Sequence, residues 1–119
     1  MILIVDDDKE LATTLQQVLS SSGLKSVTAN SAVEAIDIFG SMIIDIVITD
    51  YNLGAGINGR DLCDIIKNRY DIPVILMTGD DAISKEIGKW DELLMKPFDA
   101  MEMKNAIRKC LSTRMLSHK

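Results

Sequence analysis

Three consecutive carboxylates, Asp6, Asp7 and Asp8, follow directly on the apolar run Ile2–Val5. Other reactive side chains stand in the same relation to other apolar runs: Asp50 after Ile46–Thr49, Thr78 after Val74–Met77, and Lys96, with Pro97 behind it, after Leu93–Met95. Two like unit charges about 4 Å apart at an effective dielectric of about 20 repel by on the order of 4 kcal/mol. Carboxylates gathered in one place must therefore take up protons or bind a hard cation through their oxygens. Magnesium suits a site with few carboxylates, because it keeps several of its waters. Asp8 reads differently: it stands where a helix N-cap belongs, satisfying free amides and the helix dipole.

These residues can act together only if the fold brings them together. The apolar runs have strand length, with a weaker and more polar one around Lys25–Ala29, and helical periodicities lie between them. Leu11, Leu15, Val18 and Leu19 form one stripe. Val33, Ile36 and Phe39 form a second, after Ser31, which with Glu34 makes an S-x-x-E capping box. Leu62, Ile65 and Ile66 form a third, and Met103, Ile107, Cys110 and Leu111 a last one. Between these, a short helix within Asp81–Gly88 has only Ala82, Ile83 and Ile87 to bury. Near-continuous apolar strands alternating with helices imply a parallel sheet covered on both faces. In such a sheet all strands end along one edge, where ligands bind, so the acids, Thr78 and Lys96 converge.

Composition limits the alternatives. The 119 residues, 47% hydrophobic and 26% charged, fit one domain that buries roughly two thirds of its unfolded surface. No apolar run approaches the roughly 20 residues that span a bilayer, and no secretory signal opens the chain, so neither a membrane role nor export is expected and a cytoplasmic location is. A net charge of −5 argues against direct nucleic-acid binding, which needs clustered Lys or Arg. Cys63 and Cys110 read as reduced thiols on helices. His118, the only histidine, falls in the stretch "STRMLSHK", expected to be unstructured, which speaks against a histidine-based triad.

Taken together, "LIVDDDKE", "VITDYNLG", "ILMTGD" and "LLMKPF" resemble the receiver domain of two-component response regulators, over essentially the whole chain. The resemblance implies a flavodoxin-like, doubly wound α/β fold: a five-stranded parallel sheet of order 2-1-3-4-5 with helices on both faces and a short fourth helix. It implies a single receiver domain over residues 1–119, with no output domain in this chain, which favours a stand-alone switch or a phosphorelay shuttle. By the same resemblance Asp50 is the phosphoacceptor. Asp7 is a direct magnesium ligand, Asp6 a ligand through water, and the Asn52 carbonyl a further one. Thr78 and Lys96 contact the phosphoryl group, Thr78 and Leu93 are switch positions, and Asn52 and Asp80 tune hydrolysis. The implied partners are a sensor histidine kinase or histidine phosphotransfer protein and a downstream effector; the domain promotes only its own phosphorylation and dephosphorylation.

Two other readings bear on the same residues. "GAGING" matches a G-x-G-x-x-G dinucleotide fingerprint at Gly54, Gly56 and Gly59. However, four residues, Asp50 to Leu53, separate it from the strand, and the next strand ends in Thr78 where a ribose-binding acid is expected. A phosphatase with an aspartyl-phosphate intermediate would, by family resemblance, carry an acid at position 52, which is Asn52 here, and a cap domain to enclose its substrate. The sequence also departs from the receiver pattern. The Gly54–Gly59 loop reaches its corresponding glycine one residue later than the family usually does, Leu93 stands where Tyr or Phe is common, and the stretch from Thr78 to Lys96 is about one helical turn short. A switching signal is therefore expected in the backbone order of Gly79–Leu94 and not in a rotating aromatic ring.

Overall fold

The computed structural model describes residues 1–54 and 56–117. Among these described residues five strands and five helices alternate: β1 (Ile2–Val5), α1 (Lys9–Ser21), β2 (Ser26–Ala29), α2 (Ala32–Phe39), β3 (Ile46–Asp50), α3 (Gly59–Arg69), β4 (Val74–Thr78), α4 (Asp81–Ser84), β5 (Glu92–Met95) and α5 (Ala100–Ser117). All strand pairs are parallel and the sheet order is β2-β1-β3-β4-β5, as expected.

Strand side chains alternate between the faces. Ile2, Ile4, Ile46, Ile48, Ile75, Met77 and Leu94 pack under α1 and α5. Leu3, Val5, Val47 and Val74 pack under α2 and α3. Because helices cover both faces, β1, β3 and β4 are buried along their whole length, and each large side chain buried this way stabilises by about 1.5–3 kcal/mol.

Three expectations need correcting. In α2 the buried residues are Ala32 and Ala35, with Ile36 and Phe39 partly buried, whereas Val33 is 66% exposed. The stripe thus runs 32, 35, 36, 39, and its two alanines let the helix approach Val5 and Ala29 closely. In the segment after β4 only Ile83 is buried; Ala82 is exposed and Ile87 is 93% exposed, because α4 ends at Ser84 and no helical turn carries Ile87 inward. The stretch from Ser112 is helical through Ser117 instead of unstructured, because it continues the helix whose earlier turns bury Met103, Ile107 and Cys110. His118 lies outside the described residues.

Candidate functional site

The strand ends bring the acids together, and their backbone explains how three adjacent carboxylates coexist. Asp6 continues β1, its N–H bonded to the Ala29 carbonyl at 3.0 Å, and its side chain is 1% exposed. Asp6 Oδ1 accepts from the Asp8 N–H at 2.9 Å, while Asp6 Oδ2 is buried without a hydrogen-bond partner. Asp8 turns away and caps α1, accepting from the Glu10 and Leu11 amides at 3.1 and 3.2 Å, as its position predicts. Asp7 is exposed. The three charges thus divide into one buried, one at the site's mouth and one on a helix N-terminus.

Asp50 ends β3 between β1 and β4. One carboxylate oxygen from each of Asp6, Asp7 and Asp50 lies within 4.8 Å of the others. Lys96 Nζ lies 3.3 Å from Asp50 Oδ1 and 3.6 Å from Asp6 Oδ2. Its backbone N–H donates to the Thr78 carbonyl at 2.8 Å, and the peptide bond to Pro97 is cis. Thr78, 2% exposed at the end of β4, accepts from the Asp80 N–H at 3.1 Å.

The remaining expected residues sit on the loop after β3, at the start of α4 and on β5. Asn52 is exposed in the loop after β3. The Asp80 carboxylate is the N-cap of α4, accepting from the Ala82 N–H at 2.9 Å. Leu93 is half-buried on β5, paired with Leu76.

Two residues that the chemistry of their side chains does not single out also shape the site. Asn30 Nδ2 donates to the Asp6 carbonyl at 3.2 Å, tying the end of β1 to the chain after β2. Gly59 begins α3 with its N–H on the Tyr51 carbonyl at 2.7 Å, and a Cβ there would lie 2.0 Å from the Asp50 carbonyl oxygen. Backbone geometry also accounts for the other glycines of the fingerprint. Gly54 has φ +78 beside Asp7, and Gly56 has φ +100, both in the left-handed region that favours glycine.

Burial raises the carboxyls of Asp6 and Asp50 above the ordinary 3.8. For Asp6, the Asp8 amide opposes this and the Asp50 charge adds to it. For Asp50, Lys96 opposes it and the Asp7 charge adds to it. An acid that holds its proton more tightly when folded contributes stability below its unfolded value and loses it as pH rises through the raised folded value. In chelator, Asp50→Asn should therefore melt about 2–6 °C higher than wild type near pH 7, with the gap closing toward about pH 4 as Asp50 protonates. Thermal melts across that range check this; a gap independent of pH would remove buried charge as its cause.

The oxygen donors suit a hard divalent cation, and Asp6 Oδ2, buried without a hydrogen bond and only 3.6 Å from the Lys96 ammonium, is what such an ion or its bound water would satisfy. Residues 2–108 match the family described as response regulator receiver domain. The heme response regulator HssR of Staphylococcus haemolyticus is 34% identical over 105 residues, covering 85% of this chain and 46% of that protein. The chain thus spans about half the length of the curated relatives it matches. The crystal structure of a response regulator receiver domain protein from Clostridium thermocellum superposes with a TM-score of 0.87 at 29% identity, over 97% of this chain and 96% of that one. The receiver domain of NtrX from Brucella abortus gives 0.88 at 25% identity, over 95% and 99%.

Proposed function

The chain belongs to the response regulator receiver domain family of two-component systems, and from that premise we propose that it is switched by transfer of a phosphoryl group to Asp50. The observation that carries this reading is the meeting of Asp50 with two further acids and one lysine: oxygens of Asp6, Asp7 and Asp50 within 4.8 Å of one another, and Lys96 Nζ 3.3 Å from Asp50.

An ionised carboxylate needs no general base to attack phosphorus. In this reading the donor is a phosphorylated histidine of a sensor histidine kinase or a histidine phosphotransfer protein. A new bond forms from an Asp50 oxygen to phosphorus as the bond from phosphorus to the histidine nitrogen breaks. Repulsion between Asp50 and the phosphoryl oxygens is the main obstacle. Lys96, already between Asp50 and Asp6, supplies one positive charge against it, and the Thr78 hydroxyl would bind a phosphoryl oxygen. Asp6, Asp7, Asp50 and the Asn52 carbonyl would hold magnesium, which supplies the remaining charge neutralisation when bound. Asn52, exposed beside the acceptor, and Asp80 would orient a hydrolytic water, Asp80 doing so from its capping position.

The domain so read is a phosphoacceptor and not an enzyme with an external substrate, and it passes its state to a downstream effector protein in the cytoplasm. Among the described residues, no helix is long and apolar enough to cross a membrane. Intact mass after incubation with acetyl phosphate tests the reading: a gain of one phosphoryl group with magnesium and none in chelator supports it, and equal gain in both conditions counts against it.

Asp7→Ala should weaken magnesium binding by about tenfold or more, since it removes a ligand from a set with few charged members. Isothermal titration with magnesium chloride measures this, and matching curves for wild type and variant would take Asp7 out of the metal shell.

A further inference from the structure

The chain between β4 and β5 makes contacts that phosphoryl transfer does not use. Four residues form α4, and Ile83 alone among them is buried, so apolar packing anchors little of it. The chain beyond α4 is fastened to α3 by polar and cation–π contacts, with Trp90 partly buried against the core that holds Leu62, Cys63 and Ile66. The guanidinium of Arg60, in the first turn of α3, pairs with Glu86, donates from Nη2 to the Ile87 carbonyl at 2.9 Å, and lies 5.6 Å above the Trp90 ring. The ring's edge lies against Gly88, where a Cβ would fall 2.0 Å from a ring carbon. Two turns along the same face of α3, Lys67 pairs with Asp91 at 2.5 Å, and Asp91 in turn accepts from the Val74 N–H at 2.8 Å.

This clasp sits between the two ends of the site. Arg60 follows Gly59, which packs on the backbone of Asp50 and Tyr51. The clasped segment is continuous with Thr78 through Gly79, Asp80 and α4. If Thr78 is drawn to a phosphoryl group on Asp50, α4 and the chain behind it are pulled along, while Arg60 holds that chain to α3. The hydrogen bond to the Ile87 carbonyl and the cation–π contact with Trp90 depend on position and weaken as that chain shifts. Contacts made in one state and lost in the other bias the equilibrium toward the first.

We propose that Arg60 and Trp90 form a clasp that holds residues 86–91 on α3 in the unphosphorylated protein and opens when Asp50 is phosphorylated, so that Arg60 sets how readily the domain switches. The proposal rests on the phosphoacceptor reading of Asp50.

Trp90 is the only tryptophan in the chain, so its fluorescence reports the clasp directly. With magnesium, beryllium trifluoride serves as the phosphoryl mimic, and its binding is followed separately by calorimetry. Saturation should shift Trp90 emission in wild type. Arg60→Ala should show the shifted emission before any mimic is added, and should bind the mimic about three- to tenfold more tightly. Arg60→Lys, which keeps the charge but not the fork of N–H donors that reaches both Glu86 and the Ile87 carbonyl, should fall between the two. Should Arg60→Ala fail to fold, Glu86→Gln, which loses only the ion pair, should move affinity in the same direction by less. Mimic binding with unchanged Trp90 emission, or with equal or weaker affinity in the Arg60 variants, overturns the clasp alone. No mimic binding by wild type overturns the phosphoacceptor reading and the clasp's switching with it.

Discussion

Asp50→Asn should gain no phosphoryl group from acetyl phosphate in magnesium, a complete loss where wild type is modified. The substitution is nearly isosteric, so β3 keeps its pairing with β1 and β4 and the buried residues around position 50 keep their packing. An amide oxygen is a poor nucleophile toward phosphorus, and the variant also deprives Lys96 of its nearest anion, at 3.3 Å. The neighbouring acids cannot substitute. Asp6 is buried, with Oδ1 held by the Asp8 amide, and Asp7 is exposed and off the central strand. Intact mass of wild type and variant, treated side by side, reads the result. A stable phosphoryl group on Asp50→Asn would place the acceptor elsewhere.

The centre of this site was legible because strand ends in a parallel sheet share an edge, so Asp6, Asp50, Thr78 and Lys96 could be brought together from four separate segments without knowing any distance. The core strands were legible for a related reason, since burial on two faces leaves runs such as Ile2–Val5 nothing but apolar residues. Errors arose where the deciding factor was a neighbour distant in sequence. Val33 is as apolar as Ile36, but the face that α2 turns to the sheet is chosen by close approach, which favours Ala32 and Ala35. Ile87 has the right type to be buried, yet the chain after Ser84 leaves the helical path and is held by Arg60 and Lys67, twenty or more positions earlier. The buried oxygen of Asp6 that lacks a hydrogen-bond partner, and the hydrogen bond from Asn30 behind it, likewise belong to packing and leave no pattern in composition or period.

Gly59 is the sharpest case, and Gly59→Ala should be among the most damaging single-methyl additions in the protein. In sequence it completes a dinucleotide fingerprint; in the fold it is the point where α3 meets the end of β3. An alanine Cβ would lie 2.0 Å from the Asp50 carbonyl oxygen, 2.8 Å from its carbonyl carbon and 2.9 Å from Tyr51 Cα. All three atoms are backbone, so no side chain can rotate away, and the Gly59 N–H bond to the Tyr51 carbonyl at 2.7 Å holds the helix start in place. Relief requires α3 to lift from the sheet, loosening Leu62, Cys63 and Ile66, or the chain at Asp50 to shift. Overpacking of this kind costs about 3 kcal/mol, roughly 10 °C in melting temperature for a domain of this size, and a displaced Asp50 should also slow phosphoryl uptake severalfold. Gly56→Ala is the matched control: it carries backbone strain at φ +100 but meets no atom within 4 Å, so it should cost about 1–2 kcal/mol and leave uptake near wild type. Melting curves and uptake rates for the two variants separate contact from strain, because only the first acts through the backbone of the acceptor; equal effects of both on uptake would mean that the loop's flexibility, and not the seating of α3 on Asp50, governs the site.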